Sequence, residues 1–559
     1  MIAMQLITHE NTVTHPTGTE EIELLTGEQA IDLLSDVLFA SEWDALYQSC
    51  PWATVFQSRS FVENWYRVYQ GVYSPLLVKA AVKGKLTGLL TMAVPLPGQV
   101  QSKLRNSSGR IVGAGHFEAE YQVWLAHEHN GSTFIKAALA AVSSRFPSYS
   151  VLFRFLPPNT PLQWAKEDPS WKGRCILQSS RRPLMDLKDP EHEKLFRKGE
   201  YRNKLNRLKR LGNVSFERIT DLERFVSILE EVAVQFDFRQ GAMFNKNLFR
   251  DNPLKAVFLQ AMFRENLLHV TVLKVNEEVK AAIAAVIGKD WVHLGGINVH
   301  TPFHASYYSP GFVHFLTLGQ QLAQEGTAVF DLTPGGDAYK DRIANKHDHV
   351  YELTITGTRA FHTKKVLKKF LHERLITAGL RPMSVELSVR KAVYIIRARL
   401  KAIKSRGTLS LLPSLLRDSL HAQPDRFYII RESSQEAPVA VERDSLEALL
   451  SFEAAGGWQT RWEFLGEAMR RLEAGEHCYT WRREGRLLCC AWFSPALGQA
   501  GATLRGIYCH PDGRAGLAAF LRAAAGQVAR EEGHGQVLAL AEGTATRRAL
   551  EAAGFEEKV

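Results

Sequence analysis

The sequence is poor in cysteine and has no long apolar run. Only six cysteines occur in 559 residues, and no two of them form a Cys-x-x-Cys pair, which argues against a zinc site. Cysteines scattered over a chain of this length indicate free thiols in a reducing compartment. No stretch reaches the roughly 18 apolar residues of a membrane-spanning helix, and the first residues lack the pattern of a signal peptide. We therefore expect a cytoplasmic protein.

The composition is that of a folded protein with an excess of basic residues. Hydrophobic residues make up 45% of the chain and charged residues 23%, so extensive disorder is not expected. The net charge of +10 favours acidic partners such as the phosphates of coenzyme A, RNA or an anionic membrane. The length predicts about three or four domains.

One pattern occurs three times at the spacing of domains. An apolar strand meets a short charged or glycine-containing turn and returns as a second apolar strand, at Lys83-Gly84-Lys85, Asn276-Glu277-Glu278 and Arg483-Glu484-Gly485. Each strand pair follows a segment with helical periodicity. This order predicts a mixed α/β (α+β) fold with three units of similar design, and the alternative is that the three hairpins are unrelated.

Two segments are strongly basic. Residues 196–212 carry Tyr201, Leu205 and Leu208 at helical spacing, which predicts an amphipathic helix with a cationic face. Residues 364–406 predict one or two helices that join the second unit to the third. The simpler interpretation of both segments is a solvated helix face. The alternative is a surface for phosphate-rich ligands or for an anionic membrane.

The candidate chemistry lies between residues 291 and 344. This stretch predicts a strand over 291–297, a turn over 307–311, a helix over 312–324 and a second strand over 328–332. The first N–H groups of a helix are unpaired and the helix dipole is positive there, so this end can bind an anionic group. The turn before the helix is therefore a candidate phosphate site.

The same stretch resembles the FemAB/CelD-type branch of the GNAT superfamily. The matching motifs are Tyr308-Ser309-Pro310-Gly311, then Phe330-Asp331-Leu332, then Gly336-Asp337-Ala338-Tyr339-Lys340-Asp341-Arg342. Residues 196–219 resemble the family's basic helix and following strand, and Phe238-Arg239-Gln240-Gly241 resembles its Arg-x-x-Gly element. The Phe-Gln-Ser after Trp43 resembles the N-terminal half. The resemblance covers roughly residues 40–345.

The resemblance implies tandem GNAT folds around one cleft, in which an amine attacks a thioester or ester carbonyl. Lys340 would stabilise the oxyanion or hold a phosphate, Asp337 or Asp331 would take the proton, and Tyr339 is a further catalytic candidate. The remaining candidates in this half are donor-binding residues and acceptor-binding residues. They are Tyr308, Ser309, Gly311 and Arg342 for the donor, and Arg239 and Tyr121 for the acceptor.

Four of these residues also have a simpler interpretation. Lys340 and Arg342 could be a surface basic pair, Asp337 a loop residue after two glycines, and Asp331 a hydrogen-bonded residue at the edge of the core. His300, His304 and His314 lack the spacing of a metal site. In the first unit, Glu120-Tyr121 stands where the family has Asp-Tyr, so we expect this unit to wall the cleft and bind the acceptor.

Residues 425–559 resemble a single GNAT domain. Gly513, Arg514 and Gly516 stand close to the family's pyrophosphate loop but are shifted, so an active domain and a degenerate one remain open. The expected organisation is a flexible tail over 1–20, units over 21–190 and 191–380, a basic helical linker over 381–424, and the C-terminal domain over 425–559.

The leading hypothesis is an N-acyltransferase that uses acyl-CoA, with acetyl-CoA expected, and no metal. Its acceptor would be an amine on a sugar or on a surface polysaccharide or lipid precursor, at the inner face of the membrane. One alternative is a FemAB-like transferase that uses aminoacyl-tRNA. The other is a non-catalytic GNAT-fold scaffold of a membrane-associated biosynthetic complex.

Overall fold

The protein is represented by a computed structural model that describes residues 21–96, 109–190, 193–194, 199–406, 426–431, 439–454, 459–494, 502–532, 536–541 and 544–557. The tail expected over residues 1–20 lies outside this part of the chain, and so do residues 407–424 of the expected linker.

The first third of the chain alternates strands and helices. Its strands are β1 (Glu21–Thr26), β2 (Tyr73–Val82), β3 (Lys85–Pro95), β4 (Arg110–Gly113), β5 (Leu125–Ala126), β6 (Ser150–Leu156) and β7 (Cys175–Asp186). Its helices are α1 (Glu28–Leu34), α2 (Val37–Ser49), α3 (Arg59–Tyr69), α4 (Gly131–Arg145), α5 (Trp164–Glu167) and α6 (Pro169–Lys172). A short 3₁₀ helix spans Val55–Gln57.

The middle of the chain repeats this alternation. Its strands are β8 (Val214–Ile219), β9 (Leu268–Val275), β10 (Glu278–Ile287), β11 (Trp291–His300), β12 (Val329–Asp331) and β13 (Lys346–Ile355). Its helices are α7 (Gly199–Lys209), α8 (Leu222–Phe244), α9 (Leu254–Arg264), α10 (Ala305–Tyr308), α11 (Pro310–Gln324), α12 (Ala338–Ile343), α13 (Arg359–Thr377) and α14 (Pro382–Arg406).

The C-terminal part forms a separate sheet. Its strands are β14 (Arg426–Arg431), β15 (Glu442–Arg443), β16 (His477–Arg483), β17 (Arg486–Ser494), β18 (Ala502–Cys509), β19 (Gln536–Ala541) and β20 (Glu556–Glu557). Its helices are α15 (Leu446–Leu450), α16 (Arg461–Ala474), α17 (Leu517–Glu532) and α18 (Thr544–Ala552), and a 3₁₀ segment spans Pro511–Gly516.

The three predicted hairpins are confirmed as β2–β3, β9–β10 and β16–β17. Their turn residues explain why the chain reverses there. Both residues of each two-residue turn have positive φ: Lys83 and Gly84, Asn276 and Glu277, Glu484 and Gly485. Such turns match the right-handed twist of the strands that they join.

Each hairpin is followed by a further strand, a helix and a parallel partner of that strand. The parallel pairs are β4 with β6, β11 with β12, and β18 with β19. The helices that connect them are α4, α11 and α17. This recurrence confirms the mixed α/β fold class and three units of similar design.

The first two units share a single sheet of 13 strands. Its order is β1-β2-β3-β4-β6-β13-β7-β12-β11-β10-β9-β8, and β5 pairs with β3 outside this path. β13 of the second unit pairs with β6 of the first, while β7 of the first unit pairs with β12 of the second. The largest core cluster likewise contains side chains from both units, so the two units fold as one body.

The C-terminal domain packs on α8 of the second unit. Phe238 and Ala242 of α8 share a hydrophobic cluster with Phe464 and Leu465 of α16. The indole N–H of Trp462 donates to the Ala242 carbonyl at 3.1 Å. α14 also reaches this domain, because Arg399 pairs with Glu463 at 2.9 Å.

His314 is a buried, neutral histidine on the inner face of α11. One ring nitrogen, Nε2, lies 2.9 Å from the Thr271 hydroxyl, and the other has no hydrogen-bond partner. Burial lowers the pKa of His314 to about 3. Burial also lowers the pKa of His300 to about 4. These side chains resist protonation in the folded state.

We expect the free energy of unfolding to fall as the pH drops below about 6.5. An unfolded histidine binds a proton near that value, whereas folded His314 does so only near pH 3. The unfolded state therefore binds more protons in between, which costs about 1.4 kcal/mol per pH unit for each such group. Denaturant titrations between about pH 3 and 6.5 measure how steeply the free energy of unfolding changes with pH. His314→Gln should make this dependence less steep, whereas His349→Gln, at an exposed position, should not. The same pH dependence in both variants would contradict this account.

Candidate functional site

The parallel strands β11 and β12 separate at one point in the shared sheet. They pair only from Trp291 to His293 and from Val329 to Asp331. β12 ends there, while β11 continues to His300. We call the point after His293 and Asp331 the fork. Thr333, just beyond it, has φ +61°, a conformation that a β-branched residue adopts only at a cost, and such strain clusters at functional sites.

A cavity of about 180 Å³, which we call the fork cavity, lies between β11 and the start of α11. It brings together four residues that the sequence singled out. They are Arg239 from α8, Ser309 and Gly311 at the start of α11, and Tyr339 from α12. The Tyr339 hydroxyl accepts a hydrogen bond from Asn298 of β11 at 3.3 Å, and burial raises the pKa of Tyr339 to about 12.

The start of α11 gives this cavity an anion-binding character. Ser309 precedes the helix in the left-handed region at φ +51°, and Pro310 is the first helical residue. A Cβ added to Gly311 would lie 2.8 Å from the His300 ring, so glycine is needed for close packing here. The helix dipole and the Arg239 guanidinium both favour a negatively charged group in the cavity.

Asp331 is fully buried at the fork and holds several donors. Its carboxylate accepts from the Tyr121 hydroxyl at 2.6 Å and from the Thr333 N–H at 2.8 Å. It lies 2.9 Å from His293 Nδ1 and 3.5 Å from an Arg182 nitrogen. Burial alone would raise the pKa of Asp331, but the His293 hydrogen bond and the Arg182 charge outweigh it and leave the pKa below its ordinary value.

Lys340 is buried beside the same strand end. Its Nζ donates to the Thr333 hydroxyl at 3.2 Å and to the Thr333 carbonyl at 3.3 Å. Asp337 lies 3.6 Å away. Burial lowers the pKa of Lys340, and the carboxylates of Asp337, Glu120 and Asp331 oppose this shift only in part. Lys340 is therefore not a surface cation, and it holds the loop that leaves the fork.

A second cavity of about 520 Å³ lies between the first two units. We call it the inter-unit cavity. Its wall includes Trp52 from the first unit, and Lys289, Trp291 and His293 from the second. Arg182 of β7 also lines it and holds Asp348, with Nε 2.7 Å from a carboxylate oxygen.

The other predicted residues lie away from the fork cavity. Tyr308 lines a different cavity, of about 550 Å³, against the C-terminal domain. Arg342 is largely exposed, pairs with Glu200 at 3.4 Å and lies over the Phe312 ring at 5.6 Å. Tyr121 is buried completely, with its hydroxyl on Asp331.

The predicted C-terminal donor loop is held by packing. A Cβ on Gly513 would lie 2.9 Å from the Leu488 carbonyl oxygen, and a Cβ on Gly516 would lie 2.4 Å from the Trp481 ring. Both glycines are therefore required by their neighbours, with or without a ligand. Arg514 lies between them in the 3₁₀ segment that precedes α17.

Three functional candidates at the fork and its cavity were missed by reasoning from the sequence: His293, Arg182 and Asn298. His293 was read only as part of a strand. The sequence does contain a signal for His293, because the repeated strand–helix–strand pattern makes the strand that contains Asp331 a parallel neighbour of the strand that contains His293. Arg182 carried no signal, since β7 joins this site through pairing with β12 and β13, which are distant in the sequence.

The comparisons with known proteins agree with this class of fold. Residues 196–341 match the family model described as "Acetyltransferase (GNAT) domain", which confirms the predicted GNAT superfamily membership of this segment. No curated protein gives a significant match. In the part of the chain that the structure describes, no group of three or more His, Cys, Asp or Glu side chains could hold a metal ion.

Among solved structures, the chain is distantly similar to the C-terminal domain of a putative lysylphosphatidylglycerol synthetase from Agrobacterium fabrum. The identity is 12% and the TM-score is 0.38, and the match covers 60% of this chain and 95% of the other. FemX matches at 10% identity over 56% and 95%, with a TM-score of 0.38. A tandem GNAT protein from the clavulanic acid biosynthesis pathway matches at 11% identity over 60% and 99%, with a TM-score of 0.36. The domain assignment rests on residues 196–341 and not on these distant similarities.

Proposed function

We propose that the protein is a GNAT-type N-acyltransferase that takes its acyl group from acyl-CoA, with acetyl-CoA as the expected donor. The observation that carries the proposal is the fork cavity. There a helix start, Arg239 and Tyr339 line the space beside β11, beyond the end of its parallel partner β12. In this proposal the donor's pyrophosphate binds at Ser309 and Gly311, beside Arg239.

The reactive thioester would lie at the fork. Asn298 and His293 are five residues apart on β11. The strand bulges between them, since Ile297 lies opposite Ala284 and His293 opposite Val286, so the span is shorter than the roughly 16 Å of five regular strand residues. An extended pantetheine arm can bridge that span. β11 beyond His293 is no longer paired with β12, so its backbone groups are available to the amides of the arm. The buried ammonium of Lys340 supplies positive charge where the carbonyl oxygen becomes negative.

The proposed acceptor is a primary amine on a sugar or on a surface polysaccharide or lipid precursor. A transfer assay tests the function. The full chain is incubated with acetyl-CoA and an amino sugar such as glucosamine, and the release of free CoA thiol is followed. Amine-dependent CoA release supports the proposal. Transfer from aminoacyl-tRNA instead would favour the aminoacyl alternative, and the absence of both reactions would favour a non-catalytic scaffold.

The helices α13 and α14 suggest where the protein works. Eleven of the twenty large apolar side chains that are exposed in the described residues lie between 366 and 400. Residues 359–406 also contain 14 Lys and Arg and 2 Glu, a net charge of +12 (14 − 2) against +10 for the whole chain. Among the described residues, no helix has the length and apolar character needed to cross a membrane. We propose that this pair of helices lies on an anionic membrane surface, with its apolar side chains in the interface.

Vesicle co-sedimentation tests this location. The protein should bind phosphatidylcholine vesicles that contain phosphatidylglycerol and should bind pure phosphatidylcholine poorly. Phe370→Asp should weaken binding about tenfold, because it removes a side chain whose burial is worth about 1.5–3 kcal/mol and adds a negative charge. Val37→Asp is the matched control, since Val37 is 81% exposed on another helix. Equal binding to both vesicle types, or equal loss in both variants, would contradict the proposal.

A further inference from the structure

His293 occupies the last paired position of β11, directly opposite Asp331 of β12. Its Nδ1 lies 2.9 Å from an Asp331 carboxylate oxygen, and its side chain is only 4% exposed. The ring is held on two sides by aromatic neighbours, with centroids 5.5 Å from both Phe56 and Tyr121. The histidine therefore has a defined orientation at the fork.

Asp331 itself is poorly placed to take a proton from a substrate. It is fully buried, and its two oxygens already accept from Tyr121, Thr333 and His293. These contacts favour the ionised carboxylate. The carboxylate instead sets the ring of His293, in the way that a buried carboxylate orients a histidine in known acid–base pairs.

The hydrogen bond to Asp331 also assigns the histidine's tautomer. A carboxylate accepts, so Nδ1 carries a proton, and Nε2 is the ring nitrogen left to exchange a proton with a substrate. A Cβ added to Gly288 would lie 3.4 Å from Nε2, and Gly288 and His293 both line the inter-unit cavity. The basic nitrogen therefore faces the wall of that cavity.

The two cavities lie on opposite faces of the shared sheet. Asn298 and His300 point to the side of α11, where the fork cavity lies. His293 points to the side of the first unit, where Ile297 and Val299 of the same strand join the large core cluster that the two units share. A donor on one face and an acceptor on the other can meet only where β11 and β12 stop pairing, which is the position of His293.

We propose that the inter-unit cavity binds the amine acceptor and that His293 is the catalytic base of the transfer; this inference rests on the proposed N-acyltransferase function. Asp331 and Tyr121 are positioning residues that act through His293. Trp291 lines the same cavity and is partly exposed, with Arg182 over its ring at 5.1 Å, and it offers an apolar contact to the acceptor. Asp290 and Lys289 add polar groups of both signs, so the acceptor class is an amino sugar or a similar polar primary amine.

The reaction balances without a further reactant. The amine nitrogen attacks the thioester carbonyl carbon, a C–N bond forms, and the C–S bond breaks. The amine proton passes to His293 Nε2, and the imidazolium then gives it to the departing CoA thiolate. The products are the amide and free CoA thiol, and His293 returns to its neutral form.

Kinetics of His293→Gln in the full chain test the assignment. The probe reaction uses acetyl-CoA with glucosamine, and with hydroxylamine as a small amine that any acceptor cavity admits. The variant should lower kcat about 100-fold or more, the range expected for a lost general base. It should leave the acetyl-CoA Kd unchanged and abolish the inflection of the pH–rate profile that His293 causes. His349→Gln, an exposed histidine on β13, is the matched control.

A second variant keeps the test independent of the folding of His293→Gln. Asn159 is exposed at the rim of the inter-unit cavity, so Asn159→Trp should obstruct entry and raise the amine KM at least tenfold, with the acetyl-CoA Kd unchanged. A wild-type protein that does not bind acetyl-CoA overturns the proposed function. A protein that binds acetyl-CoA but acylates neither amine overturns the acceptor assignment. Transfer that survives His293→Gln with its pH profile intact overturns the role of His293 alone.

Discussion

Replacing Lys340 with methionine is expected to lower kcat/KM for acyl transfer by about 100-fold or more, the effect of losing one group that stabilises a developing oxyanion. Methionine keeps much of the aliphatic volume but removes the charge. The ammonium contacts both the hydroxyl and the carbonyl of Thr333 at the fork. It also offsets the buried negative charge of Asp331 and Glu120.

Lys346→Met is the control for this variant. Lys346 is 61% exposed and pairs with Asp186 at 3.1 Å, so its loss should leave kcat/KM unchanged. Thermal unfolding and the acetyl-CoA Kd show whether Lys340→Met damages the fold or the donor site. A stable Lys340→Met protein with wild-type kcat/KM would contradict a role for the Lys340 charge at the fork.

The pH dependence of transfer should also reflect Lys340. Because burial lowers its pKa, the ammonium loses its proton at a lower pH than an ordinary lysine, which titrates near 10.4. Activity that depends on this charge should therefore decrease as the pH rises, and the decrease should occur at a pH below the ordinary lysine pKa. The Lys340→Met variant should not show this decrease at alkaline pH. A decrease that persists in the variant would be due to another titrating group.

Replacing Gly311 with aspartate is expected to weaken acetyl-CoA binding about 100-fold, or about 2.7 kcal/mol. The new side chain would meet the His300 ring, which lies 2.8 Å from the Cβ position. It would also place a carboxylate at the helix start where the donor's phosphates are proposed to bind, and like charges repel there. Calorimetry on the full chain measures the change in Kd.

The control for Gly311→Asp lies at the equivalent helix start of the C-terminal domain. Arg514→Asp reverses a charge in the 3₁₀ segment before α17, so it should abolish donor binding there if that domain holds a site. We expect it to leave acetyl-CoA binding by the full chain nearly unchanged. A large loss in Arg514→Asp with none in Gly311→Asp would place the donor site in the C-terminal domain.

Local signals predicted much of the fold around the site. The helix expected over 312–324 is found as Pro310–Gln324, since proline at its first position and glycine after its end are local features of the sequence. The three hairpins were predictable for the same reason, because each turn contains a glycine or an asparagine, which tolerates positive φ. The basic helix is found as Gly199–Lys209, with Tyr201 and Leu208 buried as their spacing predicts.

Long-range pairing was not predictable from these signals. β7 pairs with β13 over ten positions, from Cys175 with Ile355 to Leu184 with Lys346. No turn or spacing in the sequence specifies that register, because it depends on packing between residues far apart in the chain. As a result Arg182, and the contact of Tyr121 with Asp331, emerged only from the structure.

The same limit affects the predicted site residues. The family motif pointed to residues 308–342, but it could not separate the side chains that line the fork cavity from those that hold the loop. Ser309, Gly311 and Tyr339 line the cavity, Lys340 holds Thr333, and Arg342 lies near the surface. Side-chain direction, which decides between these roles, depends on the tertiary packing around each residue.

Calorimetric titration of the full chain with acetyl-CoA tests the central claim most directly. The account predicts binding at one site that Gly311→Asp removes and Arg514→Asp leaves intact. The absence of binding by the wild-type chain, or binding that Gly311→Asp leaves unchanged, would contradict the claim that the fork cavity holds the acyl donor.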